Sequence, residues 1–279
     1  MEHDVLVAQQ FGATAQAYLD SVTHATGDDL QLLSQEVASI PQATVLDLGC
    51  GAGHASFAVS SRAASVTAYD LTAQMLAVVQ REAAARDLRN ITTVQGMAES
   101  LPFPDSHFDF VISRYSAHYW HDVPAALREI RRVLKPDGRA LLIDSAGGES
   151  PLLDTHLQAV EILRDPSHIR DYSTREWLSL FREAGFSATL RKEWPVPIEF
   201  SGWIERMRTP PERVAAIHAV WSAAPDEVRT FFQVQPDGSF TMRKILIAAE
   251  RWCDAVTRRC RYTKICIASL TRCCGIGTS

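Results

Sequence analysis

Two stretches of the chain combine residue types and spacings that could do chemistry. The first is Val45–His54, VLDLGCGAGH. An apolar run, Val45-Leu46, meets an acid, Asp47, and then three glycines, Gly49, Gly51 and Gly53. A strand that turns into a helix through glycines brings bare backbone N–H groups against a ligand, as nucleotide-type cofactors require. Dinucleotide loops need Gly-x-Gly-x-x-Gly, the third glycine allowing close helix–strand packing. Counted from Gly49, that third position is His54, which argues against a nicotinamide oxidoreductase. Asp47, two residues ahead of the glycines, repels a pyrophosphate and attracts a cationic amine, such as the methionine end of S-adenosylmethionine.

Asp70 ends the next apolar run, SVTAYD, 23 positions after Asp47. That is close to the ~20-residue spacing at which an acid reaches a ribose in βαβ nucleotide folds. A carboxylate accepts two hydrogen bonds from a vicinal diol, and it can equally cap the helix that follows. The second loaded stretch is Arg114–Asp122, RYSAHYWHD. It follows an apolar run, FDFVIS, and so falls at the carboxyl end of a strand, where open α/β sheets bind ligands. His118 and His121 are candidate general bases there, His118 first because Asp122 can occupy His121 locally, with Tyr115 as a hydrogen-bonding partner. Arg114 either pairs with an acidic substrate or closes a structural salt bridge. Tyr119 lies in the same crowd and is a candidate substrate contact.

The elements that must position these groups alternate between the two periodicities of strand and helix. Strands are expected to end at Val45–Leu48, and to run over 65–70, 91–95, 108–113, 139–145, 186–192 and 240–249. Helices are expected from His54, over 71–87, over 123–134 with Asp122 as cap, and over 174–184 with the capping box Ser173-x-x-Glu176. Pro102 and Pro104 force an extended crossing. Gly147-Gly148 opens an irregular region to about Asp171, counted as a helical insertion over 148–171. A second insertion, 201–232, carries helical patterns broken at Pro210-Pro211 and Pro225. Residues 4–39 read as short helices broken at Gly12 and Gly27, with Phe11 and Tyr18 seven apart; the two aromatics either pack on a core or close a lid. The expected fold is α/β, a doubly wound, mostly parallel seven-stranded sheet.

Composition sets the class. With 279 residues, 46% hydrophobic and 22% charged, the chain is ordinary for a globular protein. A net charge of −5 argues against a nucleic-acid partner. No apolar run approaches the ~18 residues of a membrane span. The first residues, MEHDVLVAQQF, are acidic rather than Lys/Arg-led, so a cytoplasmic location is expected. Composition changes abruptly near Trp252. Cys253, Cys260, Cys266, Cys273 and Cys274 follow it, with Arg258, Arg259, Arg261, Lys264 and Arg272 against Asp254. No Cys-x-x-Cys pair is present, so 252–279 is expected to be a poorly ordered tail appended to a domain of residues 1–251. No motif sets an oligomeric state.

The motifs VLDLGCGAG, Asp70, AESLPFPDSHFD and RVLKPDGR together resemble the class I S-adenosylmethionine-dependent methyltransferases. The similarity is to the group containing the ubiquinone/menaquinone biosynthesis C-methyltransferases. It covers residues 40–145 strongly, and Phe11–Tyr18 and 173–249 weakly. The resemblance implies a Rossmann-like fold and methyl transfer from S-adenosylmethionine, with S-adenosylhomocysteine as product and no metal. It implies that Asp47, Gly49, Gly51 and Gly53 line the methionine moiety, that Asp70 binds the ribose, and that Leu71 and Met75 flank the adenine. Met97, Ala98 and Glu99 would pass the adenine edge, and Ser113 would stand near the methyl donor. Met97 departs from the family, which usually has an Asp there, so recognition falls to the Ala98 backbone.

Methyltransferases acting on base amino groups carry Asn/Asp-Pro-Pro-Tyr/Phe after the fourth strand. Here Ser113-Arg114-Tyr115-Ser116 stands instead, which points to a small-molecule acceptor. Tyr18 is a further candidate acceptor contact. Trp177, Trp203, Met207 and Trp221 would either wall the site or pack in the core. The competing function is a catalytically silent S-adenosylmethionine-binding protein that acts through a partner.

Overall fold

A computed structural model describes residues 2–12, 14–20 and 25–252. The expected poorly ordered Cys/Arg-rich tail, 252–279, lies outside the described residues from Cys253 on. Two short helices, α1 (His3–Gly12) and α2 (Ala15–Asp20), come first, followed by α3 (Asp28–Val37). Then strands and helices alternate: β1 (Ala43–Leu48), α4 (His54–Ser60), β2 (Ala63–Asp70), α5 (Ala73–Ala85), β3 (Ile91–Gln95), β4 (Phe108–Arg114), α6 (Val123–Val133) and β5 (Leu134–Ala146). The last third holds α7 (Pro151–Arg164), α8 (Thr174–Glu183), β6 (Phe186–Ile198), α9 (Phe200–Arg206), α10 (Pro211–Ala223), α11 (Asp226–Phe231) and β7 (Phe240–Arg251).

The sheet has seven strands in the order β3-β2-β1-β4-β5-β7-β6. The first five are parallel, and β7 runs antiparallel to both β5 and β6. The order reverses between β1 and β4, and the crevice outside that switch point is the ligand position of doubly wound sheets. Residues alternate faces along each strand. Leu46 and Leu48 of β1 join Leu127 and Ile130 of α6 and Trp177 and Phe181 of α8 in one layer. Val45 joins Leu33 and Val37 of α3 and Val59 of α4 in the other. Apolar residues on both faces explain why these strands read as near-continuous hydrophobic runs. The insertion helices form a separate small core in which Leu157, Trp203, Ile217 and Trp221 pack against Phe240. No helix among the described residues is long and apolar enough to cross a membrane.

Three boundaries differ from expectation. The helical insertion expected over 148–171 contains one helix, 151–164, narrower than that range; Ser150 accepts a hydrogen bond from the Leu153 N–H and Pro151 suits the first turn. Strand β6 continues past Lys192 to Ile198 through Pro195 and Pro197. It lies at the sheet edge, where a missing N–H breaks no ladder. Helix α6 stops at Val133, and β5 starts at once with Leu134. The predicted caps form: Asp122 Oδ1 accepts from the Ala125 N–H, and the Ser173/Glu176 capping box is complete.

Candidate functional site

The end of β1 enters the loop at Gly49, whose φ of +71° places it in the left-handed region. A Cβ there would meet Ser116 Oγ at 1.8 Å, so any side chain would push away the turn that follows β4. At Gly51 a Cβ would meet nothing within 4 Å. Its bare backbone lines an open cavity of about 1060 Å³ at the carboxyl ends of β1, β2 and β4. His54, at the forbidden third glycine position, opens helix α4 and turns its ring toward the N-terminal helices. Its Nε2–H donates to the Tyr18 carbonyl at 3.1 Å, and burial holds its pKa below the usual histidine value. This histidine therefore ties the N-terminal segment over the glycine loop.

Asp47 is buried in β1 (1% exposed), where Ser56 Oγ–H donates to its Oδ2 at 2.6 Å. Its Oδ1 has no hydrogen-bond partner among the described residues. Burial lifts this carboxyl to about 6. Asp70 is held by two backbone donors: the Gly51 N–H to Oδ2 and the Thr72 N–H to Oδ1, both 2.8 Å. Each oxygen keeps a further lone pair, and burial raises the group above the usual aspartate value. Leu71, Met75, Met97, Ala98 and Glu99 line the same cavity. Tyr69 Oη–H donates to the Met97 carbonyl at 3.0 Å, which fixes the segment that passes there.

After β4, Tyr115 takes a left-handed turn at φ 55° and the short helical turn Ala117–Tyr119 follows. Here a second cavity of about 810 Å³ opens, and Phe11, Tyr18, Tyr115 and Tyr119 wall both. His118 Nδ1–H donates to Asp144 Oδ1 at 2.5 Å. Burial opposes its charge, but the Asp144 carboxylate prevails and pushes its pKa up to about 9. Asp171 stands beside them, pushed up to about 8 by burial. Oδ2 of Asp144 and Oδ2 of Asp171 are both buried without a hydrogen-bond partner. His168 is the reverse case: burial pulls it down to about 3, and its Nε2–H donates to Gln158 Oε1.

The candidate residues divide sharply. His118 lines the second cavity, whereas His121 is exposed at the rim of the first. Tyr115 Oη–H is turned to Asp29 Oδ2 at 3.4 Å, and Arg114 and Lys244 sit over its ring, so it is not the partner of either histidine. Arg114 Nε–H donates to Asp29 Oδ2 at 2.7 Å in an ion pair whose side chains are 5% and 1% exposed. Of the two roles open to Arg114, the structure shows the salt bridge. Tyr119 Oη–H donates to Asp165 Oδ2 at 3.0 Å while its ring faces both cavities. Ser113 does not line the first cavity. Strand β4 continues through it, pairing it with Leu142, and its side chain stays buried in the sheet. Ser116 and Trp120 stand on that wall instead.

The family described as "Methyltransferase domain" matches residues 46–142. The chain is 50% identical over 203 residues to the uncharacterized protein YafE of Escherichia coli, covering 73% of this chain and 98% of that one. It is 38% identical over 243 residues to the uncharacterized methyltransferase YcgJ of Bacillus subtilis, covering 85% and 96%. The crystal structure of YcgJ superposes with a TM-score of 0.77 at 37% identity, over 81% of this chain and 98% of that chain. A demethylmenaquinone methyltransferase of Listeria monocytogenes is 29% identical over 164 residues, covering 51% and 69%. The chain is a class I S-adenosylmethionine-dependent methyltransferase. It is an enzyme of that family.

For this methyltransferase, sequence reasoning missed most of the second cavity. Asp144, Glu161, Arg164, His168, Asp171 and Arg206 were not singled out. Asp144 carried a signal, an acid closing the apolar run Leu141–Ile143 at the carboxyl end of a strand. The others come from the insertions, and no local pattern marks them. Phe11 and Tyr18 close over both cavities, with rings 5.4 Å apart, although α1 and α2 are separate helices.

Proposed function

We propose that the first cavity holds S-adenosylmethionine and the second a small-molecule methyl acceptor. One observation carries the reading: the two cavities share the aromatic residues Phe11, Tyr18, Tyr115 and Tyr119, so the space for an acceptor adjoins the space for a donor. The residues of the first cavity fit the donor. Asp47 Oδ1, a buried carboxylate oxygen without a partner, suits a ligand ammonium, and bare Gly51 leaves room for the ligand backbone. Asp70 is oriented by Gly51 and Thr72 to accept from both ribose hydroxyls. Leu71 and Met75 supply apolar surface for the adenine, and Ala98 supplies backbone at its edge in place of the family carboxylate that Met97 lacks.

When bound, the sulfonium supplies a methyl group already activated for in-line displacement, so the protein's share is alignment and exclusion of water. The N-terminal helices do the excluding, through His54 to the Tyr18 carbonyl and through Gln10 Nε2–H to the Met207 carbonyl at 3.0 Å. A weakly acidic nucleophile must also lose a proton. The His118–Asp144–Asp171 group is where that proton goes, with His118 presenting Nε2 to the cavity while Nδ1 is held by Asp144. His121 has no part in this step, and no metal is called on. Small-molecule transfer is tested with labelled S-adenosylmethionine and a cell extract split into dialysable and macromolecular fractions. Label in the dialysable fraction is the expected result; label confined to protein or nucleic acid would overturn the reading.

A further inference from the structure

Four cationic side chains line the second cavity: Arg164, Arg206, Arg243 and Lys244. Three of them have a carboxylate. Arg164 faces Glu161 at 3.4 Å, Arg243 faces Glu193 at 2.7 Å, and Lys244 faces Asp29 at 3.5 Å. Arg206 has no carboxylate within ion-pair distance among the described residues, and its buried Nε has no hydrogen-bond partner. Two other acids of this region, Glu161 and Asp165, are engaged elsewhere. Glu161 pairs with Arg164, and Asp165 accepts from the Ser167 N–H, the Ser167 hydroxyl and the Tyr119 hydroxyl.

Arg206 is also held in place. It ends helix α9, whose Trp203 carbonyl accepts from Arg164 Nε–H at 3.0 Å. The next residue, Met207, receives Tyr18 Oη–H on its sulfur and Gln10 Nε2–H on its carbonyl. Burial lowers the pKa of Arg206, and the neighbouring Arg164 charge lowers it further. Arg206 is half-buried, and a guanidinium whose buried Nε has no acceptor, set beside another cation and without an anion of its own, is a costly arrangement unless a ligand completes it. We propose that Arg206 anchors a carboxylate on the methyl acceptor. The rest of the cavity states what else the acceptor carries. Val196, Ile198, Trp203 and Met242 give an apolar body its wall, and the proton-accepting group at His118 marks the end that bears the nucleophile. A single planar guanidinium matches a carboxylate in two parallel hydrogen bonds. With Glu161 close by, a phosphate dianion would be repelled more than a monoanion.

This inference rests on the second cavity being the acceptor site, and the test separates the two. Protein saturated with S-adenosylhomocysteine is titrated calorimetrically with benzoate, 4-hydroxybenzoate and 3-phenylpropanoate, each against its primary amide, and with 4-hydroxyphenyl phosphate. At least one carboxylate should bind about tenfold or more tighter than its amide. Arg206→Gln should erase that ratio, Arg206→Lys should keep part of it, and neither should change affinity for S-adenosylhomocysteine. No carboxylate preference in the series, an unchanged ratio in Arg206→Gln, or tighter binding of the phosphate than of every carboxylate would each overturn the anchor. Failure of S-adenosylhomocysteine itself to bind would overturn the donor reading instead.

Discussion

The two cavities share a wall of aromatic residues, yet they are built in opposite ways. The first is made of backbone and of side chains fixed by backbone. The Gly49–Gly53 loop, the Asp70 carboxylate held by Gly51 and Thr72, and the Met97 segment held by Tyr69 all sit within the β1–β2–β3 unit. The second is made of charged side chains from distant elements: His118 after β4, Glu161 and Arg164 in α7, Asp171 before α8 and Arg206 in α9, with Asp144 of β5 buried behind His118. The first depends on chain geometry that a whole family can keep. The second depends on mutual charge compensation, which a few substitutions in the insertions can rewrite. Under the proposed assignment, that division lets one donor site be combined with different acceptor sites, and the insertion helices supply the part that differs.

The largest effect should come from the backbone-held acid. Asp70→Ala removes the two ribose contacts proposed for it and releases the Gly51 and Thr72 N–H groups. Two hydrogen bonds to a charged acceptor at about 1.5–3 kcal/mol each imply an affinity loss of order 10²–10³-fold or more for S-adenosylhomocysteine. Calorimetric titration checks this. The pH behaviour of the second cavity should not change, because none of its titrating groups touches Asp70. A coupled change would show that the two cavities are not separable.

The same contrast decides what was legible in the sequence. The glycine loop, Asp70 and the β1–β4 order are local patterns: spacing alone places Asp70 at the end of the second strand and Asp47 ahead of the first glycine. The caps at Asp122 and Ser173 are equally local. Arg114 could not be settled this way, since its partner Asp29 lies 85 positions earlier and neither residue's neighbours announce the pair. Ser113 falls within the expected strand, but which way its side chain turns is not legible from the apolar run, and it stays buried in the sheet. The second cavity draws Tyr18, His118, Asp171 and Arg206 from separate elements, with Asp144 of β5 behind His118, and only tertiary packing brings them together.

The middle effect tests the charge-built cavity. His118 stands at about 9 because of Asp144, and burial alone would take it below the usual histidine value. Asp171 stands at about 8. At pH 7 the group is therefore largely protonated, and turnover should rise with pH towards 9 as it becomes able to accept a proton. Asp144→Asn removes the charge that holds His118 up, so the rise should shift to lower pH by two or so units. Loss of an oriented base should lower kcat/KM on the order of 10²-fold at pH 8. His118→Ala should match it, whereas His121→Ala should leave the profile in place. A profile in Asp144→Asn that still rises towards 9 would take the proton step away from this pair.

The smallest effect is a pH dependence in the donor cavity. The folded pKa of Asp47 is about 6, above the 3.8 of an ordinary aspartate. Between those values the folded state binds more protons than the unfolded state, so this group's contribution to stability falls as pH rises from about 4 to 6 and is constant above. Two units correspond to roughly 3 kcal/mol. Ligand binding runs the other way. An ammonium against Asp47 Oδ1 needs the carboxylate ionised, so affinity for S-adenosylhomocysteine should weaken about tenfold per unit below pH 6 and be flat above it. Asp47→Asn is nearly isosteric and should abolish both trends, leaving a protein whose unliganded form is more stable near pH 7 but which binds the ligand more weakly. If the affinity of the wild-type protein were unchanged between pH 5 and 7, the orphan oxygen would have some other counterpart. The donor cavity would then owe its selectivity to Asp70 and the glycine backbone alone.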